Sequence, residues 1–185
     1  MRIAVGMSGA TGAIYGIRTM EVLKRLGIQT HLVLSDAAKK TIKLETNYTL
    51  QEIEELATEV HDISQIGATI ASGSFKIQGM IIAPCSIKSL SAIAHSYNEN
   101  LLIRAADVIL KEKRKLVLIV RETPLHAGHL KLMLTVAENG GIILPPMPAF
   151  YHLPQTIDDI VNQTVGKALD QFDIQHDLFP RWSGL

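Results

Sequence analysis

Apolar residues recur along this chain in two alternating rhythms. Ile3-Ala4-Val5 is a short unbroken apolar run ending at Gly6, and Ile14, Ile17, Met20, Leu23 and Leu26 then follow at three- and four-residue spacing, with Gly27 as the stop. That pattern predicts strand, glycine loop, helix. His31 to Leu34 predicts a second strand, and Ser35-Asp36 an N-cap for a helix running towards Glu45. Thr49 with Glu52 three residues on is a capping box opening a helix to about Ala57, whereas 60–75 is broken by Gly67, Ser72, Gly73 and Ser74 and reads as mostly loop. Met80 to Ala83 is a buried-strand run stopped by Pro84, and Ser86 caps a helix to about Ala94. Leu101 to Lys113 is helical, Leu116 to Val120 a further strand, and His126 to Glu138 a helix closed by Asn139-Gly140-Gly141. Ile142 to Leu144 is the next strand and Asp158 to Phe172 the last helix, with a short tail at 179–185.

Strands alternating with helices imply a parallel sheet covered on both faces, a three-layer α/β/α architecture of the Rossmann or flavodoxin-like kind. With 185 residues and 47% hydrophobic content, one domain over 1–185 is expected. Eighteen basic and eighteen acidic side chains cancel, so no net field draws the chain to nucleic acid or an anionic membrane. Its apolar runs fall far below the ~20 residues of a spanning helix. Cys85 is the only cysteine, which fits a reducing cytoplasm. The mean hydropathy of +0.20 with few aromatics suggests apolar surface covered by further copies of the chain.

In such folds ligands gather at the carboxyl ends of the strands. Gly6-Met7-Ser8-Gly9-Ala10-Thr11-Gly12 can bring backbone N–H groups against a phosphate at a helix N-terminus, although it is not the G-x-G-x-x-G dinucleotide pattern. A mononucleotide is favoured over NAD, because the second strand ends in Ser35 rather than an acid. A glycine turn serving only close packing explains the loop about equally well. Pro84-Cys85-Ser86-Ile87-Lys88-Ser89 offers hydroxyls and N–H groups at a second helix start, so one phosphate can be clamped between the two loops. For Ser86 alone, ordinary N-capping is the simpler account, and Cys85 reads as a packed core thiol.

Arg104, Asp107 and Lys111 stand at i, i+3 and i+7 and form one polar stripe about 10 Å long. On an isolated helix a solvated stripe is the plainer reading. Arg121-Glu122 follows a five-residue apolar strand, which puts a cation and a carboxylate at the sheet's active edge, where burial and charge shift a pKa. Glu45 by itself reads as a surface acid. No metal is expected: His126-x-x-His129 is too weak a pattern. The segment Leu144-Pro145-Pro146-Met147-Pro148-Ala149-Phe150-Tyr151 is apolar and proline-stiffened, suited to pack on a ligand or a neighbouring subunit.

Taken together, Gly6 to Gly12, Ser35, Lys43-Leu44-Glu45-Thr46, Pro84-Cys85-Ser86, Arg104 to Asp107 with Lys111-Glu112, Arg121 to Leu125 and Pro146 to Tyr151 resemble the UbiX flavin prenyltransferase family over nearly the whole chain. Ala68 to Phe75 and Asp170-Gln171-Phe172 are most similar to the branch of that family associated with hydroxyarylic (phenolic) acid decarboxylases. The resemblance implies a flavoprotein fold and transfer of a dimethylallyl group from dimethylallyl monophosphate to N5 and C6 of reduced FMN. The prenylated FMN would serve a UbiD-type decarboxylase, and the particle would be a homododecamer with shared sites. Residue by residue, it implies FMN contacts at Gly9, Ala10, Thr11, Ser35, Ser86, Ile87, Lys88, Ser89 and Arg121. Lys111, Glu122, Tyr151 and Lys167 would surround the prenyl phosphate, Arg104 would support a cationic wall, Glu45 would take the C6 proton, and Trp182 would help exclude water. Two departures stand out: Lys167 replaces the family's usual arginine, turning a bidentate grip into a point charge, and Lys131-Leu132 replaces a usual Glu-Asn. The rival readings are a flavin-dependent cysteine-type decarboxylase, whose histidine and asparagine motifs find no good match here, and a noncatalytic FMN-binding subunit of a phenolic acid decarboxylase, which would not require Glu45, Lys111 and Glu122.

Overall fold

The computed structural model describes residues 1–182 and Gly184; Ser183 and Leu185, in the expected tail, lie outside the described residues. Strands β1 (Arg2–Met7), β2 (Gln29–Leu34), β3 (Glu59–His61), β4 (Gly79–Cys85), β5 (Lys115–Val120) and β6 (Ile142–Ile143) form one parallel sheet in the order β3-β2-β1-β4-β5-β6. The helices are α1 (Ala13–Arg25), α2 (Asp36–Glu45), α3 (Leu50–Glu54), α4 (Ile87–Ala94), α5 (Leu101–Lys111), α6 (Ala127–Glu138) and α7 (Ile157–Asp170).

The strands sort their side chains with period two into two cores. Ile3, Val5, Met7, Ile81, Ala83, Val117 and Ile119 meet α1, α2 and α7 on one face. Ala4, Met80, Ile82, Leu116, Leu118 and Val120 meet α4, α5 and α6 on the other. Both alternates are apolar because both faces are covered, so these strands read as unbroken apolar runs. Close approach of α1 to the sheet depends on Gly16, where a Cβ would stand 2.2 Å from the Ala83 carbonyl oxygen and 2.7 Å from Met7 Cε.

Several boundaries differ from the sequence reading, each for a local reason. Residues 60–75 are not all loop: Glu59–His61 pairs with β2 as an edge strand, and Thr69–Ala71 forms a 3-10 turn. Glu59-Val60-His61 holds a single apolar residue, itself exposed, so no apolar run marks it. Helix α3 ends at Glu54 rather than about Ala57. Helix α5 ends at Lys111 because Lys113 turns left-handed, with φ 54°. Helix α7 starts one residue early, at Ile157 under a Thr156–Asp159 capping box, and ends at Asp170. Strand β4 continues through Pro84 to Cys85 by a register shift after Ile82. Among the described residues no helix is long and apolar enough to cross a membrane.

Candidate active site

The strand order switches between β1 and β4, the parallel central neighbours from which successive strands are added in opposite directions, and the loops after them open a crevice there. One residue ties these loops together. Buried Ser8 donates its hydroxyl to the Pro84 carbonyl at 2.9 Å, accepts the Ser86 N–H at 2.7 Å, and donates its own N–H to Pro84 at 3.1 Å. Sequence reasoning passed over Ser8 as one loop residue among seven; its signal was a hydroxyl directly after the strand. Gly9 follows because the loop presses on α2: a Cβ there would lie 2.3 Å from that of Ala37.

The crevice is a 590 Å³ cavity lined by Ser8, Gly9, Ser35, Ser86, Lys88 and Ser89 among others. Ser35 caps α2, accepting the Ala38 N–H at 3.0 Å, and Ser86 caps α4, accepting the Ser89 N–H at 3.3 Å. Two capped helix starts and a glycine loop thus present N–H groups and hydroxyls to one volume, the donor set that a phosphate requires. Ile87 is packed on the second core, and Lys88 is exposed and paired with Glu99 at 3.2 Å. The sequence reading missed Ile63, Ser64, Glu99 and Asn100 on the cavity wall, which the folding of edge strand β3 and the start of α5 brings there; Asp36 joins them beside Ser35.

Glu45 is no free surface acid. Its Oε2 accepts the Gly12 N–H at 2.7 Å and the Ala13 N–H at 3.2 Å, at the positive N-terminal end of α1. Burial raises its pKa, but the Thr11 hydroxyl, those two N–H groups and the Arg121 charge outweigh burial and hold it below the usual carboxylate value. Thr11, Glu45 and Arg121 therefore form one neighbourhood beside Ala10. Arg121 donates its backbone N–H to the Cys85 carbonyl at 3.0 Å. It also opens a second cavity of 330 Å³ lined by Glu122, Leu125, Met133 and Pro145 to Pro148. Glu122 is exposed at the mouth, so the burial expected of it is absent in a single chain; among the described residues its carboxylate accepts only the Thr123 N–H, at 3.0 Å. Cys85 is buried and its thiol pushed up to about 12 by burial, as befits an inert core group.

The remaining candidates lie elsewhere. Arg104 pairs with Asp107 at 3.2 Å, but Lys111 leaves the stripe for Glu112, beside Gly73. Helix α5, about 16 Å long, begins at the cavity and ends where Arg114 reaches the Gly73 and Phe75 carbonyls below β4, so Lys111 stands at the opposite, amino edge of the sheet. Lys167 shares Asp170 with Arg181 and His176 near the end of α7, and Lys115–Asp173 fixes that end at the same amino edge. Tyr151 meets Trp182 edge-on with ring centroids 5.9 Å apart, both exposed.

The chain matches the Flavoprotein family model over residues 1–169. It is 66% identical to the flavin prenyltransferase UbiX of Thauera aromatica, with 100% of this chain and 95% of that protein covered. With the UbiX of Escherichia coli K12 it shares 59% identity, covering 99% and 98%. The chain belongs to the UbiX flavin prenyltransferase family. Its fold superposes on a UbiX, PadA1, crystallised with FMN and dimethylallyl pyrophosphate, at a TM-score of 0.98 and 48% identity over 100% and 98% of the two chains. A dodecameric FMN-dependent UbiX-like decarboxylase from Escherichia coli O157:H7 gives 0.97 and 48%, with both chains fully covered. A cysteine decarboxylase, TvaF, shares the fold alone, at 11% identity and a TM-score of 0.61.

Against that family, the expected site residues of this chain other than Arg104, which pairs with Asp107 on α5, fall into three sets. Gly9 to Thr11, Ser35, Glu45, Ser86 to Ser89, Arg121 and Glu122 share the carboxyl edge, whereas Lys111 and Lys167 stand at the amino edge and Tyr151 and Trp182 pair beside α7. The structure also gathers a histidine cluster that the sequence search for metal spacing missed: His31, Glu59 and His61 bring three polar atoms within 4.8 Å of one another. Thirty residues separate the two histidines, and only the β2–β3 pairing joins them.

Proposed function

We propose that this chain transfers a dimethylallyl group from dimethylallyl monophosphate to N5 and C6 of reduced FMN, releasing phosphate. The observation that carries this reading is the Ser8 clasp, which makes one anion-binding crevice from two loops and sets Glu45, Arg121 and Glu122 along the same edge. The crevice fits a flavin phosphate by its donors, and the apolar walls of the 330 Å³ cavity beside it fit a prenyl chain.

Reduced FMN, when bound, supplies the nucleophilic positions. Gly9, Ala10, Thr11, Ser35, Ser86, Ile87, Lys88 and Ser89, with Arg121, would hold it, its phosphate taken by the two loops. Departure of the prenyl phosphate needs charge stabilisation and a proton; Lys111, Lys167 and Tyr151 provide the first without a metal, Arg104 adds to the cationic wall, and Glu122 gives the proton. Glu45, ionised at neutral pH, takes the proton from C6, and the Thr11 hydroxyl is in place to pass it. Trp182 covers Tyr151 and excludes water. Because Lys111, Lys167 and Glu122 are apart in one chain, they meet across subunits of a homododecamer. The product goes to a UbiD-type decarboxylase acting on a hydroxyarylic acid, in a cytoplasm reducing enough to keep the flavin reduced.

Anaerobic incubation of the metal-stripped protein with reduced FMN and dimethylallyl monophosphate, followed by mass spectrometry of the flavin, tests this. A flavin heavier by one dimethylallyl unit is expected; unchanged FMN refutes the reading.

A further inference from the structure

His31 and His61 are both buried, and the reaction above uses neither. They meet at the β2–β3 edge, His31 Nδ1 lying 3.0 Å from His61 Nε2. Their rings are 13° from parallel and their centroids 5.3 Å apart. Centroids separated by the N···N distance plus two ring radii place both ring centres and both nitrogens close to one line. The two lone-pair directions therefore point at each other, and one nitrogen must carry a proton that the other accepts. A metal would instead need those directions to converge on a third point about 2.0 Å from each nitrogen.

Few charges face the pair. On β3, the Glu59 oxygens lie 3.3 Å from His31 Nδ1 and 3.7 Å from His61 Nδ1. On β1, Arg2 lies over the Phe75 ring that packs edge-on against His31. Asp62, next in the chain, is turned to Ser64. The 69–71 turn and α5 bring apolar Ile70, Ala71, Leu102 and Ala106 to this face of the sheet. Burial lowers the His31 pKa below 6.5; Glu59 opposes that shift, and His61 and Arg2 reinforce it.

What the pair holds is part of the ligand cavity. Strand β3 has three residues and pairs only with β2. Ile63 and Ser64 follow it after Asp62 and line the 590 Å³ cavity, and the Ile63 carbonyl accepts the Leu101 N–H at 2.9 Å, at the start of α5. We propose that His31 and His61 are positioning residues that share one proton and so fix the 62–64 wall of the flavin cavity, and that a second proton breaks their bond, loosens that wall and weakens flavin binding. This rests on the flavin-site reading above. Because the folded pair resists the second proton, its effect is flat above about pH 6.5 and grows as pH falls, by at most about tenfold per pH unit for one proton.

The test measures FMN affinity of the full protein from pH 8 to 5, beside the His31→Gln/His61→Gln variant. Titration of the FMN phosphate is common to both and cancels in the ratio. Expected is a loss of affinity below pH 6.5 that is several-fold steeper in the wild type. Parallel curves overturn the proposal; no FMN binding at pH 8 by the wild type would instead overturn the flavin site itself. Nitrogen-15 NMR of the wild-type imidazoles needs no variant. A proton shared between Nδ1 of one ring and Nε2 of the other above pH 7 supports the dyad. Two independently titrating rings, or stoichiometric zinc uptake by these rings, overturn it.

Discussion

At the scale of single residues, two side chains set the crevice. Ser8 is buried and joins both loops, so Ser8→Ala leaves the Ser86 N–H without its partner inside the protein. An unsatisfied buried donor costs about 1–3 kcal/mol, and that loss falls on the geometry that receives the phosphate. FMN affinity is expected to drop by about tenfold with the fold intact, as read by quenching of flavin fluorescence; unaltered affinity would show that the clasp does not shape the site. Glu45 makes a pH-dependent contribution. Its folded pKa lies below the ordinary 4.5, so its stabilisation of the α1 start is complete above that value and is lost as pH falls through the lowered one. Glu45→Gln should therefore melt below wild type at pH 7, and the gap should narrow as pH falls below 4.5, as followed by thermal denaturation. The same shift makes Glu45 a weak base, suited to a C6 proton that leaves as aromaticity returns.

At the scale of elements, the strands and helices that touch either core were legible, because burial on both faces writes an apolar run for each central strand and a 3.6-residue period for each helix. β3 was not: an edge strand pairs through its backbone and needs no apolar signature. The ends of α5 and α7 escaped for a related reason, since left-handed Lys113 and Asp173 stand where no glycine announces a stop. The phosphate loops were visible as glycine and serine at strand ends, but Ser8 acts through its contacts with Pro84 and Ser86, 76 and 78 residues away. The stripe Arg104–Asp107–Lys111 was read correctly as a helix face and only half correctly as a unit, because Glu112 captures Lys111. Packing of α1 on the sheet makes the sharpest prediction here. Gly16→Ala places a Cβ against the Ala83 carbonyl, a backbone atom that cannot rotate away. Overpacking of this kind costs about 1–3 kcal/mol or more, so a melting temperature lowered by several degrees is expected, and an unchanged one would mean that α1 shifts freely.

At the scale of the whole molecule, one chain leaves much apolar surface bare. Leu130 and Leu134 on α6 are more than half exposed, as are Met147, Phe150, Leu153 and Ile157 around the proline-rich segment. Exposed apolar surface of this extent is what the proposed contact between copies would cover. Leu134→Glu should shift the particle to smaller species in sedimentation velocity and lower prenyl transfer in parallel; a smaller particle with full activity would argue for a site complete in one chain. The resemblance assigned Lys111 and Glu122 to one reaction, and the fold sets them at opposite edges of the sheet, so assembly alone can bring them together. Mixed particles measure this directly. Lys111→Ala and Glu122→Gln subunits, each inactive alone, are unfolded together, reassembled, and assayed for prenylated FMN. Sites built across subunits predict recovered activity in the mixture, since some interfaces then carry an intact Lys111 facing an intact Glu122; a mixture as inactive as its parents, with particles of full size, would contradict the account.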